Sequence, residues 1–221
     1  MKPRALIAWS SGKDSAWALH RVRLAGETEV VGALTTITES LGRVSMHGVR
    51  QEILEAQCAA ANLPLYPVTI PFPCPNEIYE RRMADAMRAA REQGIARIIF
   101  GDLFLEDIRA YREAKLRGSG IEPVFPLWKI PTEALAREMI AGGLKARVVT
   151  LDPNKVPREL AGAAFDESLL AALPAGVDPC AENGEFHTCV IGGPMFDRNL
   201  NVTAGEVVER DGFVFVDLRL V

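Results

Sequence analysis

A short apolar run that stops abruptly at a cluster of small polar residues constrains this chain most. Residues 5–9 read as buried strand, and Ser10-Ser11-Gly12-Lys13-Asp14-Ser15 follows at once. Over residues 14–24 the pattern changes, with Trp17, Ala18, Leu19, Val22 and Leu24 at roughly helical spacing. Strand, tight turn and helix in that order open a βα unit. The alternation continues with a β-branched strand over 30–37, a helix over 51–61 and a strand over 65–70 that the Pro-rich 71–75 breaks. A long helix fits 78–93, closed by Gly94, and a wholly apolar strand over 96–100 ends at Gly101-Asp102. Strands that are apolar throughout and separated by helices belong in a parallel sheet covered on both faces. The expected class is α/β, with a Rossmann-like parallel-sheet domain.

The last third reads differently. A helix over 132–140 ends at Gly142-Gly143, a strand over 146–151 follows, and a helical stretch covers 167–173. Residues 206–210 and 213–218 alternate around Asp211-Gly212, a strong hairpin signal that demands antiparallel pairing. The chain is therefore expected to divide into a parallel-sheet unit over 1–127 and a smaller α+β unit over 128–221. The hairpin holds no catalytic constellation, so packing or homodimer formation is its default role.

Composition sets the limits. The 221 residues are 48% apolar and 24% charged, with a formal charge of −4, which is globular rather than disordered. The acidic balance argues against a nucleic-acid platform. Cys58, Cys74, Cys180 and Cys189 are scattered, without metal-ligand spacing, and read as reduced thiols. The stretch before Ser10 is too short for a signal segment, and no apolar run approaches the ~20 residues that span a bilayer. A soluble, cytoplasmic chain without a membrane partner is the expectation.

The turn at residues 10–15 carries the chemistry. Its small residues leave backbone amides pointing into the loop at a helix N-terminus, which favours anions. Lys13 adds positive charge, Ser10, Ser11 and Ser15 add hydroxyls, and Asp14 suits Mg²⁺ or orients the loop. A Walker A loop needs Gly and Ser/Thr where this chain has Ile7 and Asp14, and GxGxxG is absent. A simple Ser/Asp helix cap remains the alternative.

Residues 10–15 resemble the SGGxDS loop of the ATP pyrophosphatases in the adenine-nucleotide alpha-hydrolase (HUP-like) superfamily. Further blocks resemble the diphthine–ammonia ligase family: Met46-His47-Gly48-Val49-Arg50, Phe100-Gly101-Asp102-Leu103, Arg109-Ala110-Tyr111-Arg112-Glu113, Pro126-Leu127-Trp128 and Asp178-Pro179-Cys180-Ala181-Glu182-Asn183-Gly184-Glu185-Phe186-His187-Thr188. They run in order over nearly the whole chain. Ser11 stands where the loop pattern has Gly and adds a Cβ where backbone approaches phosphate; Ala181 stands where the family pattern has Gly and His187 where diphthine-modifying members often carry Glu, and these last two departures bear on the substrate rather than on the ATP chemistry.

The resemblance implies an AMP-forming amide ligase: ATP adenylates a carboxylate, protein-borne diphthine or a small molecule, and ammonia displaces AMP. ATP and Mg²⁺ are the implied cofactors, with ammonium as the second partner. Ser10, Ser11, Gly12, Lys13, Asp14, Ser15, Gly101 and Asp102 are the expected nucleotide-binding residues. Asp102 is read as sharing Mg²⁺ with Asp14, contacting ribose, or capping the next helix. Lys13, Arg109, Glu182, Glu185 and His187 are the expected catalytic residues, and His47, Glu113, Asn183 and Thr188 the substrate-binding ones. Arg109 is preferred over Arg112 for the site. In an extended segment Glu185 and His187 face one side, Glu185 to grip ammonium and His187 as its proton-transfer partner. A nucleotide sensor without turnover and a tRNA-modifying adenylating enzyme are the rival readings. No glutaminase unit is expected at this length, so ammonia would come from solution or a partner.

Overall fold

The computed structural model describes residues 1–45 and 48–221; His47 lies outside them. Six strands build the first sheet: β1 (Arg4–Ala8), β2 (Glu29–Thr38), β3 (Arg43–Val44), β4 (Leu65–Ile70), β5 (Ile95–Ile99) and β6 (Glu122–Val124). Ala33 pairs with both Ile7 and Leu65, so β1 and β4 flank β2. The order β4-β2-β1-β5-β6 is parallel throughout, and β3 returns antiparallel against the end of β2. The chain builds outward from β1 to one edge and then crosses to the other, so strand order reverses between β1 and β5. Ligands in open parallel sheets bind beyond the carboxyl ends of strands at that reversal.

The expected α/β class and its smaller second unit are both present. Helices α1 (Lys13–Ala25), α2 (Gln51–Ala60) and α3 (Asn76–Glu92) match the helical spacing read from the sequence. Successive residues of β1 alternate between two cores. Leu6 joins Leu34, Val68 and Ile98 against Met87 of α3, whereas Ala5 and Ile7 join Leu19 of α1 with Ile53 and Leu54 of α2. A strand buried on both faces has no polar alternation, hence the continuous apolar run.

The second sheet is antiparallel, in the order β8-β7-β10-β9, from β7 (Lys145–Leu151), β8 (Phe186–Gly192), β9 (Val202–Arg210) and β10 (Phe213–Leu220). Asp211 and Gly212, at φ 53° and 81°, supply the two left-handed residues that a tight hairpin turn requires. Helix α5 (Thr132–Ala141) packs against α1, where Trp17 Nε1 donates to Glu138 Oε1 at 2.9 Å. The α1–α2 core runs without a break into Cys189, Val190 and Val214 of the second sheet.

One helix carries little apolar signal. Helix α4 (Glu106–Leu116) has a single buried residue, Leu116, so its apolar periodicity is too weak to register. Helix α6 (Glu167–Ala172) is capped by Asp166, whose side chain accepts from the amides of Ser168 and Leu169. Among the described residues no helix is long and apolar enough to cross a membrane.

Candidate active site

The turn between β1 and α1 opens where strand order reverses. Ser10 and Ser15 share a hydroxyl–hydroxyl hydrogen bond of 3.2 Å, the Gly12 amide donates to Ser10 Oγ, and Ser15 Oγ donates to the Gly12 carbonyl. Ser11 is left-handed at φ 71°, which accounts for a Gly-favouring position there. Its carbonyl accepts from the amide of Val190 on β8 at 2.9 Å and from Gln57 Nε2 at 3.1 Å. Across the crevice, a Cβ on Gly101 would lie 2.8 Å from the carbonyl carbon of Asp14, so only glycine lets the end of β5 approach α1 this closely.

The segment 178–188 closes the crevice from the other side. Thr188 Oγ1 accepts from the Lys13 amide at 3.1 Å. The Lys13 ammonium donates to Asp14 Oδ2 at 2.9 Å and to the Cys180 carbonyl, between the rings of Phe165 and Phe186. Glu182 Oε1 accepts from the Leu103 amide at 2.8 Å, tying the segment to the loop after β5. Ala181 is left-handed at φ 56°, the second position where the family pattern has Gly. Around these contacts lies a cavity of about 210 Å³, lined among others by Ser10, Lys13, Asp102, Arg112, Glu182 and His187.

Its electrostatics are uneven. Burial opposes the Lys13 charge, but the adjacent Asp14 and further anionic groups outweigh it and raise the pKa above that of an ordinary lysine. Burial, helped by Asp14 and Asp102, pushes the Glu182 carboxyl up to about 7 against the Leu103 hydrogen bond. Burial, with Lys13 nearby, pushes His187 down to about 4, leaving its imidazole neutral at physiological pH. A carboxyl titrating near 7 in a cleft suits a general acid or base. Asp14 Oδ1 is buried with no hydrogen-bond donor, which suits a hard cation. No group of three His, Cys, Asp or Glu side chains forms a metal cluster among the described residues; Mg²⁺ bound through one or two carboxylates and substrate phosphates needs none.

The structure brings together Ser10, Lys13, Asp14, Ser15, Gly101, Asp102, Glu182, His187 and Thr188 on one cavity. Ser11 and Gly12 shape the turn behind it. Asp102 neither caps α4, whose cap is Leu105, nor pairs with Asp14; it grips Arg112 through two hydrogen bonds of 2.6 and 2.9 Å. The preference for Arg109 over Arg112 is reversed. Arg109 pairs with Glu113 at 2.7 Å and stacks 4.7 Å from the centroids of Phe125 and Trp128, so both members of that pair lie outside the cavity. Glu185 and His187 do not converge. Glu185 precedes β8, and its carboxylate turns toward the Asp178 amide and Asn183 Nδ2, away from the cavity that His187 lines.

Two residues missed by sequence reasoning matter. Gln57 is fully buried, and beyond its bond to Ser11 its amide donates to the Val190 carbonyl at 2.7 Å while Oε1 accepts from Trp9 Nε1 at 2.9 Å. A glutamine in the apolar stripe of α2 was the signal. Arg112 is the other, four residues before the end of α4. The cysteines are free. Burial pushes the Cys58 and Cys189 thiols up to about 12, so both stay protonated and unreactive.

The chain is similar to known proteins along both of its halves. A family model described as the diphthamide synthase N-terminal domain matches residues 1–123, and one described as its C-terminal domain matches residues 131–218. A diphthine–ammonia ligase of Rattus norvegicus is 26% identical over 231 residues, covering 94% of this chain and 85% of that protein. The Homo sapiens protein of the same name is 25% identical over 229 residues, with 94% and 85% covered. That of Bos taurus is 25% identical over 237 residues, with 97% and 88% covered. With both halves matched in order, the chain belongs to the diphthamide synthase family.

Proposed function

We propose that this chain is an ATP-dependent, AMP-forming amide ligase of the diphthine–ammonia ligase kind, adenylating a carboxylate and amidating it with ammonia. The observation that carries the reading is the meeting of the turn at residues 10–15 with the segment 178–188 on one polar cavity, where Glu182 titrates near neutrality. The name shared by the relatives supports the same chemistry. The acid is protein-borne diphthine or a small carboxylate.

Charge in an adenylation grows on the α-phosphate and on the departing pyrophosphate, so fixed donors aimed there lower the barrier. Ser10, Ser15 and the first turn of α1 supply hydroxyls and a positive helix end. Lys13, charged and locked in place, supplies a full positive charge without reorganisation. Asp14 Oδ1 would hold Mg²⁺, which when bound neutralises phosphate charge. Ammonia must attack as the neutral base. Glu182 takes that proton, since a carboxylate with a pKa near 7 attracts ammonium and is a much stronger base than an ordinary carboxylate. His187, neutral, donates or accepts a hydrogen bond beside it. Asn183 and Glu185 set the turn that aims Glu182, and the second unit, residues 128–221, presents the acid.

ATP–pyrophosphate exchange with candidate carboxylates tests the reading. Exchange that depends on the acid and not on ammonium supports it. ATP binding with no exchange for any acid would leave the sensor reading in its place.

A further inference from the structure

Beside the polar cavity, between α3 and α4, lies a groove of about 380 Å³ that the ATP chemistry leaves unused. Its floor is Ile98 of β5 and Phe100 just beyond it, and its walls are Tyr79, Met83 and Met87 from α3 with Tyr111 from α4. Aromatic rings and thioethers present flat, polarisable faces, the lining that a planar ring prefers. The rim is charged, with Arg88, Arg91, Arg112 and Lys115 against Glu80 and Glu92.

The groove adjoins the cavity. Phe100 and Arg112 line both, and the Arg112 guanidinium sits 4.4 Å from the Phe100 ring centroid. Asp102 engages Nε and Nη2 of Arg112, leaving Nη1 as the nitrogen outside that pair. Size argues for two compartments. Pockets for drug-sized ligands run from roughly 300 Å³ upward, and the polar cavity at about 210 Å³ falls short of holding a phosphate chain and the body of a second reactant together.

We propose that the α3–α4 groove is the subsite for the acid substrate: it takes a planar, aromatic-bodied carboxylate whose acid group passes Arg112 into the polar cavity. This rests on the ligase reading and gives its acceptor a chemical class. Arg112, with Nη1 outside its pair with Asp102, stands at the passage where a carboxylate would be guided. The chemistry is the same whether the acid is free or carried on a side chain.

The test uses 8-anilinonaphthalene-1-sulfonate, an aromatic anion, as fluorescent reporter, and 4-phenylbutyrate as competitor. Ala84→Trp fills the groove from an exposed position on α3, and Tyr111→Glu sets a negative charge on its wall from an exposed position on α4. The proposal expects at least tenfold weaker reporter binding in each variant with an unchanged melting temperature. It also expects displacement by 4-phenylbutyrate, or by a short peptide carrying the same acid on a side chain, whichever source the groove serves. Saturating ATP should leave the reporter bound. Equal binding to wild type and both variants, displacement by neither acid, or displacement by ATP overturns the proposal. Failure of the two readings is separable. Acid binding in the groove without AMP formation removes the ligase and keeps the subsite. Pyrophosphate exchange whose KM for the acid is unmoved by Ala84→Trp removes the subsite and keeps the ligase.

Discussion

The Lys13 amide donates to Thr188 Oγ1 at 3.1 Å, although 175 residues separate them. With the Val190 amide on the Ser11 carbonyl, this makes β8 a splint along the turn at residues 10–15. The turn therefore depends on both halves of the chain, and the predictions below follow from that coupling.

Glu182→Gln keeps an acceptor for the Leu103 amide but loses the base. Amidation should fall by about 10²-fold, with pyrophosphate exchange retained. In the wild type, amidation should rise with pH through about 7, where Glu182 loses its proton, and that inflection should vanish in the variant. Rate profiles for both reactions check this.

Ser11 and Ala181 each hold a left-handed backbone that costs a non-glycine residue about 1 kcal/mol. Ser11→Gly also removes a buried hydroxyl without a partner, so it should stabilise by about 1 kcal/mol after the entropy that glycine adds to the unfolded chain. Ala181→Gly should gain about half that. Ser11→Val should destabilise. Urea titrations give the order.

Gly101→Ala would set a methyl 2.8 Å from the Asp14 carbonyl carbon and 2.9 Å from the Ser15 amide nitrogen. Overpacking of this kind costs about 1–3 kcal/mol. Because the contact is backbone at the first turn of α1, ATP affinity should drop more than stability alone explains. Calorimetric ATP titration below the melting range would register it.

Asp217 on β10 accepts from Arg50 and Arg43, which flank β3 and α2, and from Arg219. Those hydrogen bonds hold its carboxyl well below the usual carboxylate range. The stability they contribute is complete above about pH 4 and drains away as pH falls toward the folded value. Asp217→Asn should cost about 1 kcal/mol at pH 7 and flatten the acid limb of the stability curve, seen by melting at successive pH values.

What the sequence disclosed follows from how local each signal is. The turn at residues 10–15 was readable because strand, small residues and helix are contiguous. The parallel strands were readable because two-sided burial removes polar residues. The choice between Glu182 and Glu185 was not, because it hangs on left-handed residues at Ala181 and Gly184 that rotate the intervening turn. Nor was the choice between Arg109 and Arg112. Both lie on α4, and the rings of Phe125 and Trp128, which draw Arg109 off, come from beyond the helix. Gln57 falls in the apolar stripe of α2, and its partners come from distant segments.

Isotope tracing tests the central claim most directly. A carboxylate that supports pyrophosphate exchange is labelled with oxygen-18 and incubated with ATP, Mg²⁺ and ammonium, and the nucleotide product is weighed by mass spectrometry. An acyl-adenylate mechanism predicts one labelled oxygen in AMP for each amide formed, and the same ratio at a rate about 10²-fold lower in Glu182→Gln. Label in inorganic phosphate with ADP as the nucleotide product, or amide formed with unlabelled AMP, would contradict it.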